Sequence, residues 1–153
     1  MRKELVYKVE IIELKTNIYV GYATGFKSEK QLFLKALAQI KKNGFKIKSI
    51  VLDRGYSYQS IFDCFDKDTK VITLPKSNAT IKGPPSLKEM RKHYIRYPFG
   101  YLKRYFKREI SEAHFSRNKN KYGVIRQKIK ERIITMCFSR AILHNFTIKY
   151  IYT

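Results

Sequence analysis

The sequence predicts an α/β fold, and three features of the chain support this prediction. Two short apolar runs, "KIKSIVLDRGY" and "KVITLP", lie on either side of a short helical segment. This order is typical of parallel strands that helices cover. A segment rich in β-branched and aromatic residues predicts a β-hairpin near the start of the chain. Helical patterns dominate the second half.

The first elements follow from local patterns. Residues 4–14 and 17–26 combine β-branched and aromatic residues with partial alternation, and a polar break separates them. They therefore predict two paired strands. Ser28 is suited to cap the next helix, whose apolar residues recur at helical spacing until Asn43 and Gly44 end it.

The second half of the chain is expected to be helical. Proline and glycine in "KGPPS" mark a loop. After this loop the periodicity predicts helices at roughly 86–95, 98–116 and 124–147. The whole chain, 1–153, is expected to form a single domain.

The chain is strongly basic, and the charge is unevenly distributed. Its 153 residues include 33 Lys and Arg against 12 Asp and Glu, a formal net charge of +21. Seventeen of the basic residues but only four acidic ones fall between Lys76 and Arg132. Such a field favours a polyanionic partner, with nucleic acid as the leading candidate. A general compositional bias toward lysine is the alternative, but it does not explain the concentration in one segment.

Composition also argues against other classes of protein. No apolar run is long enough for a bilayer span, so no membrane partner is expected. Cys64 and Cys137 are too few and too far apart for a metal knuckle. With no leader at the start, a cytoplasmic, nucleoid-associated location is expected.

Asp53 stands where an apolar strand ends, in "SIVLDRGYS". Ligand sites of α/β sheets form at the carboxyl ends of strands, and a carboxylate there is suited to hold Mg²⁺. The alternative is that Asp53 caps the following helix or starts a turn, which is common for Asp near Gly.

A second set of candidates lies in "YFKREISEAHFSRNK". Tyr105, Arg108, Glu112 and Lys119 are separated by intervals of three, four and seven residues, which places them on one face of a continuous helix. Arg108 and Glu112 are one turn apart and are expected to pair. From periodicity alone, a solvated helix face with weak ion pairs is the favoured alternative.

These segments resemble insertion-sequence transposases of the DDE class. "YFKREISEAHFSRNK" fits the pattern Y-x2-R-x3-E-x6-K, the signature of the C-terminal catalytic region of many members. "VLDRGYS" is similar to the motif of the family's second aspartate. "LPKSNATIKG" is similar to the segment before the family's basic helical insertion, which would span 76–100 here.

The resemblance implies a ribonuclease-H-like mixed sheet with flanking helices. It also implies that Asp53 and Glu112 are catalytic residues that bind Mg²⁺ or Mn²⁺ in a two-metal site. The implied function is DNA transposition by metal-dependent phosphodiester cleavage and strand transfer. The implied partners are DNA, as transposon ends and target, and a second copy in a homodimer on DNA. The expected DNA-binding residues are Tyr105, Arg108, Lys119, Arg54, Lys76, Lys103 and Arg104.

The match to the family is incomplete at one point. The family's first aspartate lies on a strand ahead of the hairpin, whereas this sequence has no Asp before Asp53. The acids available there are Glu4, Glu10 and Glu13. The expectation is a 5′-truncated catalytic domain that lacks the first strand and has an incomplete two-metal site, so that catalysis is expected to be severely reduced or lost.

Two other functions stay open at this point. One is a non-catalytic basic DNA-binding protein derived from a transposase, and the other is a metal-dependent nuclease without strand transfer. Glu10 or Glu13 replaces the missing acid only if its side chain faces Asp53. The resemblance to DDE transposases predicts that the carboxyl groups of Asp53 and Glu112 lie about 4 to 8 Å apart.

Some residues have a structural and a functional interpretation of similar weight. The aromatic side chains of "YIRYPFGYLKRYF" alternate with cations, and they are suited either to stack on unpaired bases or to pack against the sheet. His114 is expected on a helix surface.

Overall fold

The computed structural model describes residues 6–76, 85–123 and 125–151. They form two compact units, one combining residues up to 46 with those from 113 onward, and one made of residues 47–112. Each unit has a two-stranded sheet of its own, with helices packed against it. The chain is therefore α/β, as predicted, whereas a single ribonuclease-H-like sheet stays a prediction.

The described elements are named here in chain order. They are β1 (Tyr7–Ile12), β2 (Tyr19–Gly25), α1 (Glu29–Lys42), β3 (Ser49–Val51), a 3-10 turn (Arg54–Tyr56), α2 (Gln59–Phe62), β4 (Lys70–Ile72), α3 (Pro85–Arg96), α4 (Pro98–Tyr105), α5 (Arg108–Tyr122) and α6 (Lys130–Ile151).

The first unit contains the predicted hairpin. Strands β1 and β2 pair antiparallel, with an irregularity between Ile11 and Ile12. The turn between them is held by Glu13, whose carboxylate accepts the backbone N–H groups of Lys15 and Thr16. The hairpin predicted from residues 4–26 is therefore confirmed over the described residues.

Helix α1 begins and ends where the sequence predicts. The Ser28 hydroxyl accepts the Gln31 N–H at its start, and Gly44 adopts a positive φ of 76° just after its end. Its buried apolar face packs on the sheet. Gly21 of β2 lies directly beneath this face, because a Cβ there would come within 2.8 Å of Ile40.

Helix α6 covers the opposite face of the same sheet. Tyr22 follows Gly21, so its side chain points to the other face, where its hydroxyl donates to the Cys137 carbonyl at 3.0 Å. The Asn145 side chain accepts the Tyr19 N–H and donates to the Tyr19 carbonyl. These contacts satisfy the backbone N–H and carbonyl of Tyr19, which lie at an edge of β2 that no strand covers in the described part of the chain.

The second unit contains the predicted parallel pair. Strands β3 and β4 pair in parallel, with Ile50 opposite Val71. Their apolar side chains lie in a core with α2, α3 and α4, whose buried residues include Phe62, Met90 and Tyr101. The carboxyl ends of both strands therefore lie at one edge of this small sheet.

The structure corrects two of the predicted helices. The helix predicted at 98–116 is divided, because α4 ends at Tyr105 and α5 begins at Arg108. At the break, Lys107 donates to the carbonyl three residues earlier, that of Arg104. The helix predicted at 124–147 instead spans Lys130–Ile151. No helix in the described ranges is long and apolar enough to cross a membrane.

The break between α4 and α5 changes the prediction that four residues share one helical face. Arg108, Glu112 and Lys119 all belong to α5, but Tyr105 belongs to α4, so the four residues do not share one continuous helix. No glycine or proline stands at the break. Tyr101 and Tyr105 are both buried in the second unit, and this tertiary packing sets where α4 ends.

Candidate functional site

Arg108 joins two carboxylates that are far apart in the sequence. Its Nη1 lies 2.5 Å from Glu112 Oε1 and 3.4 Å from Asp53 Oδ1. The two oxygens can therefore be no further apart than the sum of these distances, which is below the upper end of the range expected from the sequence. The side chains of Asp53 and Glu112 are 57% and 54% exposed, so both carboxylates are accessible to solvent.

Asp53 is placed by the end of the parallel sheet. The preceding residue, Leu52, donates its N–H to the Ile72 carbonyl at 2.8 Å, which extends the pairing of β3 with β4. Asp53 Oδ1 accepts the Arg54 N–H at 2.7 Å and so caps the 3-10 turn. The capping role that the sequence offered as an alternative is confirmed, and the same oxygen also faces Arg108.

Two residues that sequence reasoning missed hold this edge together. The Thr73 hydroxyl donates to the Asp53 carbonyl at 3.1 Å. The Tyr101 hydroxyl accepts the Thr73 N–H at 3.0 Å and donates to the Thr73 carbonyl at 2.7 Å. A polar residue at the end of the apolar run "KVIT" was the signal available for Thr73. No spacing rule indicated Tyr101.

Tyr105 supports Arg108 rather than presenting its ring to solvent. It is buried, and the Arg108 guanidinium lies over its ring at 5.4 Å from the centroid. Burial raises the pKa of the Tyr105 hydroxyl, and the positive charge of Arg108 partly offsets this effect. The expected contact of Tyr105 with DNA stays a prediction.

The second unit also exposes several of the cations that the sequence assigned to DNA. Arg54 follows Asp53 directly, and Lys103 and Arg104 lie in the last turn of α4. All three are exposed. Lys76 lies over the Tyr58 ring at 4.7 Å from its centroid. Their contacts with DNA stay predictions.

Lys119 and two of the alternative acids belong to the first unit. Lys119 lines a cavity of about 470 Å³ there, together with Glu10. The Glu10 side chain is only 4% exposed and pairs with Lys8 at 2.8 Å, and burial raises the pKa of this carboxyl group. Glu13 is engaged in the hairpin turn. Glu4 lies outside the described residues.

The two carboxylates in contact with Arg108 suit a divalent cation in their chemistry. Mg²⁺ prefers oxygen ligands and is commonly held by one or two carboxylates, with water and substrate phosphates completing its coordination. Asp53 and Glu112 supply such a pair around one positively charged group. Within the described ranges, no group of three or more His, Cys, Asp or Glu side chains is arranged to hold a metal ion.

The sequence of this chain is similar to that of a known protein. It is 38% identical over 144 residues to a probable transposase for the insertion sequence element ISA1214 of Archaeoglobus fulgidus. The match covers 94% of this chain but 44% of that relative, so the chain spans less than half of the relative's length. No family model matches the sequence, and no solved structure matches it. Over nearly all of its length, the chain is therefore similar to part of a protein named as a probable insertion-sequence transposase.

Proposed function

We propose that this chain is the catalytic part of a DNA transposase of the DDE class, with a ribonuclease-H-like fold. Asp53 and Glu112 are then two of the metal-binding acids, and Mg²⁺ or Mn²⁺ is the cofactor. The observation that carries the proposal is the shared contact of both carboxylates with Arg108. The similarity to a probable transposase supports it independently.

The geometry explains how two acids coexist at this place. Two carboxylates at such short separation repel each other, and the guanidinium between them offsets this repulsion. Because both side chains are more than half exposed, a ligand can reach them from solvent. Guanidinium groups also bind phosphate strongly, often through two parallel hydrogen bonds. Arg108 is thus suited to transfer its contact to a DNA phosphate and release the carboxylates.

The surrounding residues have distinct tasks in this proposal. Thr73 and the Arg54 N–H fix Asp53, while Tyr105 orients Arg108. The exposed Arg54, Lys103 and Arg104 attract the DNA backbone. A bound divalent cation would supply Lewis-acid stabilisation and activate water or a 3′-hydroxyl for attack on a phosphodiester.

One observation favours a second candidate, DNA binding without cleavage. Arg108 already occupies the space between the two carboxylates and offsets one of their two charges, and the described residues add no third acid to form a metal-binding group. A protein with this charge of +21 would still hold DNA through its phosphates. The chain would then be a transposase-derived DNA-binding protein.

Metal binding and DNA cleavage separate the two candidates. We would titrate the protein with Mn²⁺ by calorimetry and measure Mn²⁺-dependent nicking of plasmid DNA. The site variants are Asp53→Asn and Glu112→Gln, and the matched control is Glu109→Gln, an exposed acid in the first turn of the same helix. With two acids in place of three, the catalytic proposal expects the wild type and the control to bind Mn²⁺ and to nick DNA slowly, and both site variants to lose both properties.

The other outcomes are equally informative. If no form binds Mn²⁺ or nicks DNA, but all bind DNA with an affinity that falls steeply with salt, the DNA-binding candidate stands. If the wild type does not bind DNA even at low salt, both candidates are wrong.

A further inference from the structure

A single nitrogen of Arg108 serves both carboxylates of the candidate site. Nη1 donates a hydrogen bond to Glu112 Oε1 at 2.5 Å and lies 3.4 Å from Asp53 Oδ1. Carboxylate oxygens are also the ligands that Mg²⁺ and Mn²⁺ prefer. The guanidinium and a metal ion therefore compete for the space between these two oxygens, and only one of them can occupy it.

The same guanidinium has a donor that it does not use. Arg108 Nε is buried and has no hydrogen-bond partner within the described residues. A buried donor without a partner destabilises the arrangement that buries it. The pairing of Arg108 with the two carboxylates therefore leaves part of its hydrogen-bonding capacity unsatisfied, and a ligand that engages more of its donors can draw it away.

A DNA phosphate is a ligand of this kind. Guanidinium groups bind phosphate through two parallel N–H donors, whereas Nη1 alone makes both contacts with the carboxylates of Asp53 and Glu112. The Arg108 side chain is 29% exposed, so part of it is accessible from solvent. Arg54 follows Asp53 directly and is exposed, and its positive charge favours a phosphate at this place.

Tyr105 allows Arg108 to change partners over a short distance. The tyrosine is buried, and the guanidinium lies over its ring at 5.4 Å from the centroid. Stacking on an aromatic ring uses the flat face of a guanidinium, whereas its N–H donors point outward in its plane. The guanidinium can therefore exchange one anionic partner for another while it stays above the ring.

We propose that Arg108 couples metal binding to DNA binding. Without DNA, its guanidinium closes the two carboxylates, and with DNA it moves to a phosphate and opens them. This role rests on the proposed catalytic function, in which Asp53 and Glu112 hold the metal ion. The carboxylates thus become fully available to a metal ion only when the substrate is present.

Coupling of this kind is reciprocal. If DNA raises the affinity for Mn²⁺, then Mn²⁺ raises the affinity for DNA by the same factor. Mn²⁺ also competes with the protein for phosphates and may bridge a carboxylate to a phosphate, but both effects persist when Arg108 is replaced. The contribution of Arg108 is therefore the difference between the wild type and Arg108→Ala. We expect a factor of about five, at the lower end of typical coupling between two sites.

The first test is fluorescence anisotropy of a labelled DNA duplex, with and without Mn²⁺ at constant ionic strength. It gives the ratio of the DNA dissociation constants without and with Mn²⁺. This ratio should be about fivefold higher for the wild type than for Arg108→Ala. The matched control is Arg104→Ala, an exposed cation in the last turn of α4, which should keep the wild-type ratio although it binds DNA more weakly.

The second test measures the same coupling from the metal side. Mn²⁺ is titrated by calorimetry into the protein with and without the duplex, and the heat of binding to the duplex alone is subtracted. DNA should lower the Mn²⁺ dissociation constant of the wild type about fivefold more than that of Arg108→Ala. Circular dichroism checks folding, and Arg108→Gln replaces Arg108→Ala if the latter does not fold. Gel electrophoresis checks that the duplex stays intact.

The outcomes separate this coupling from the proposed function. If Mn²⁺ binds to the wild type, but DNA changes its affinity equally in the wild type and Arg108→Ala, the coupling is wrong and the metal site stands. If the ratio falls equally in Arg104→Ala and Arg108→Ala, the effect belongs to positive charge in general, and the coupling is again wrong. If no form binds Mn²⁺ with or without DNA, the catalytic function is wrong and the coupling falls with it.

Discussion

The hydroxyl of Tyr101 bonds both backbone polar groups of Thr73, accepting from its N–H at 3.0 Å and donating to its carbonyl at 2.7 Å. Tyr101 is 1% exposed, so water does not compete for either hydrogen bond. The pair connects α4 to the end of β4, and the Thr73 hydroxyl continues the connection to the Asp53 carbonyl. A buried tyrosine thus fixes the backbone that carries one of the two carboxylates.

Replacing Tyr101 by Phe should lower the free energy of unfolding by about 1 to 3 kcal/mol, because two buried backbone groups lose their partner. Urea denaturation followed by circular dichroism measures this change. Tyr97→Phe is the control, since its ring is exposed and it should unfold like the wild type. Equal stability of Tyr101→Phe and Tyr97→Phe would show that the Thr73 contacts contribute nothing net.

Replacing Arg108 by Ala should strengthen Mn²⁺ binding and weaken DNA binding, if the proposed site is correct. The guanidinium competes with a cation for the same two carboxylates, and a unit charge at 4 Å is worth about 1 kcal/mol in water. The Mn²⁺ dissociation constant should therefore fall about fivefold, as measured by calorimetry. Arg104→Ala, a nearby exposed cation, should weaken DNA binding alone. A loss of Mn²⁺ binding in Arg108→Ala would mean that the guanidinium assembles the site instead of competing for it.

Elements whose signals are local were predictable from the sequence. Helix α1 illustrates this, because its capping serine, apolar spacing and terminal glycine all agree on the same bounds. The break between α4 and α5 carries no such signal. Tyr105 belongs to α4 because its ring is buried in the second unit, and this depends on residues distant in the sequence.

The candidate site likewise contains residues that the sequence indicated and residues that it did not. Asp53, Arg108 and Glu112 were identified from motifs, and the structure brings these three together. The contacts of Thr73 with Tyr101 involve backbone groups, which leave no trace in residue spacing. His114 was expected on a helix surface but is buried, because α5 packs it close to His144 of α6. Helical spacing alone does not reveal which face another element covers.

Replacing Gly21 by Ala should destabilise the first unit. A Cβ at this position would lie 2.8 Å from the Ile40 side chain and 2.9 Å from the Ala36 carbonyl oxygen of α1. Because a backbone atom cannot yield easily, the helix must shift, at a cost of about 1 to 3 kcal/mol. Thermal unfolding measures this loss.

Gly100→Ala is the matched control, because the added Cβ would enter open space within α4. This substitution should leave the free energy of unfolding unchanged or raise it by up to about 1 kcal/mol. Similar melting temperatures for Gly21→Ala and the wild type would contradict the close packing of α1 on β2.

Replacing His114 by Gln should reduce the sensitivity of the protein to acid. Burial lowers the pKa of His114 in the folded state, and the neighbouring His144 and Arg117 lower it further. The unfolded chain therefore binds a proton at this residue more readily than the folded protein does. The stability this provides is complete above the unfolded pKa of about 6.5 and is lost as the pH falls through the lower folded pKa.

The measurement is the free energy of unfolding in urea for wild type and His114→Gln, at a pH near 8 and a pH near 5. The packing cost of the substitution is the same at both pH values, so it cancels when the two are subtracted. We expect the wild type to lose more stability than the variant between these values. An identical loss in both proteins would show that His114 does not contribute to acid destabilisation, and that protonation of other groups accounts for it.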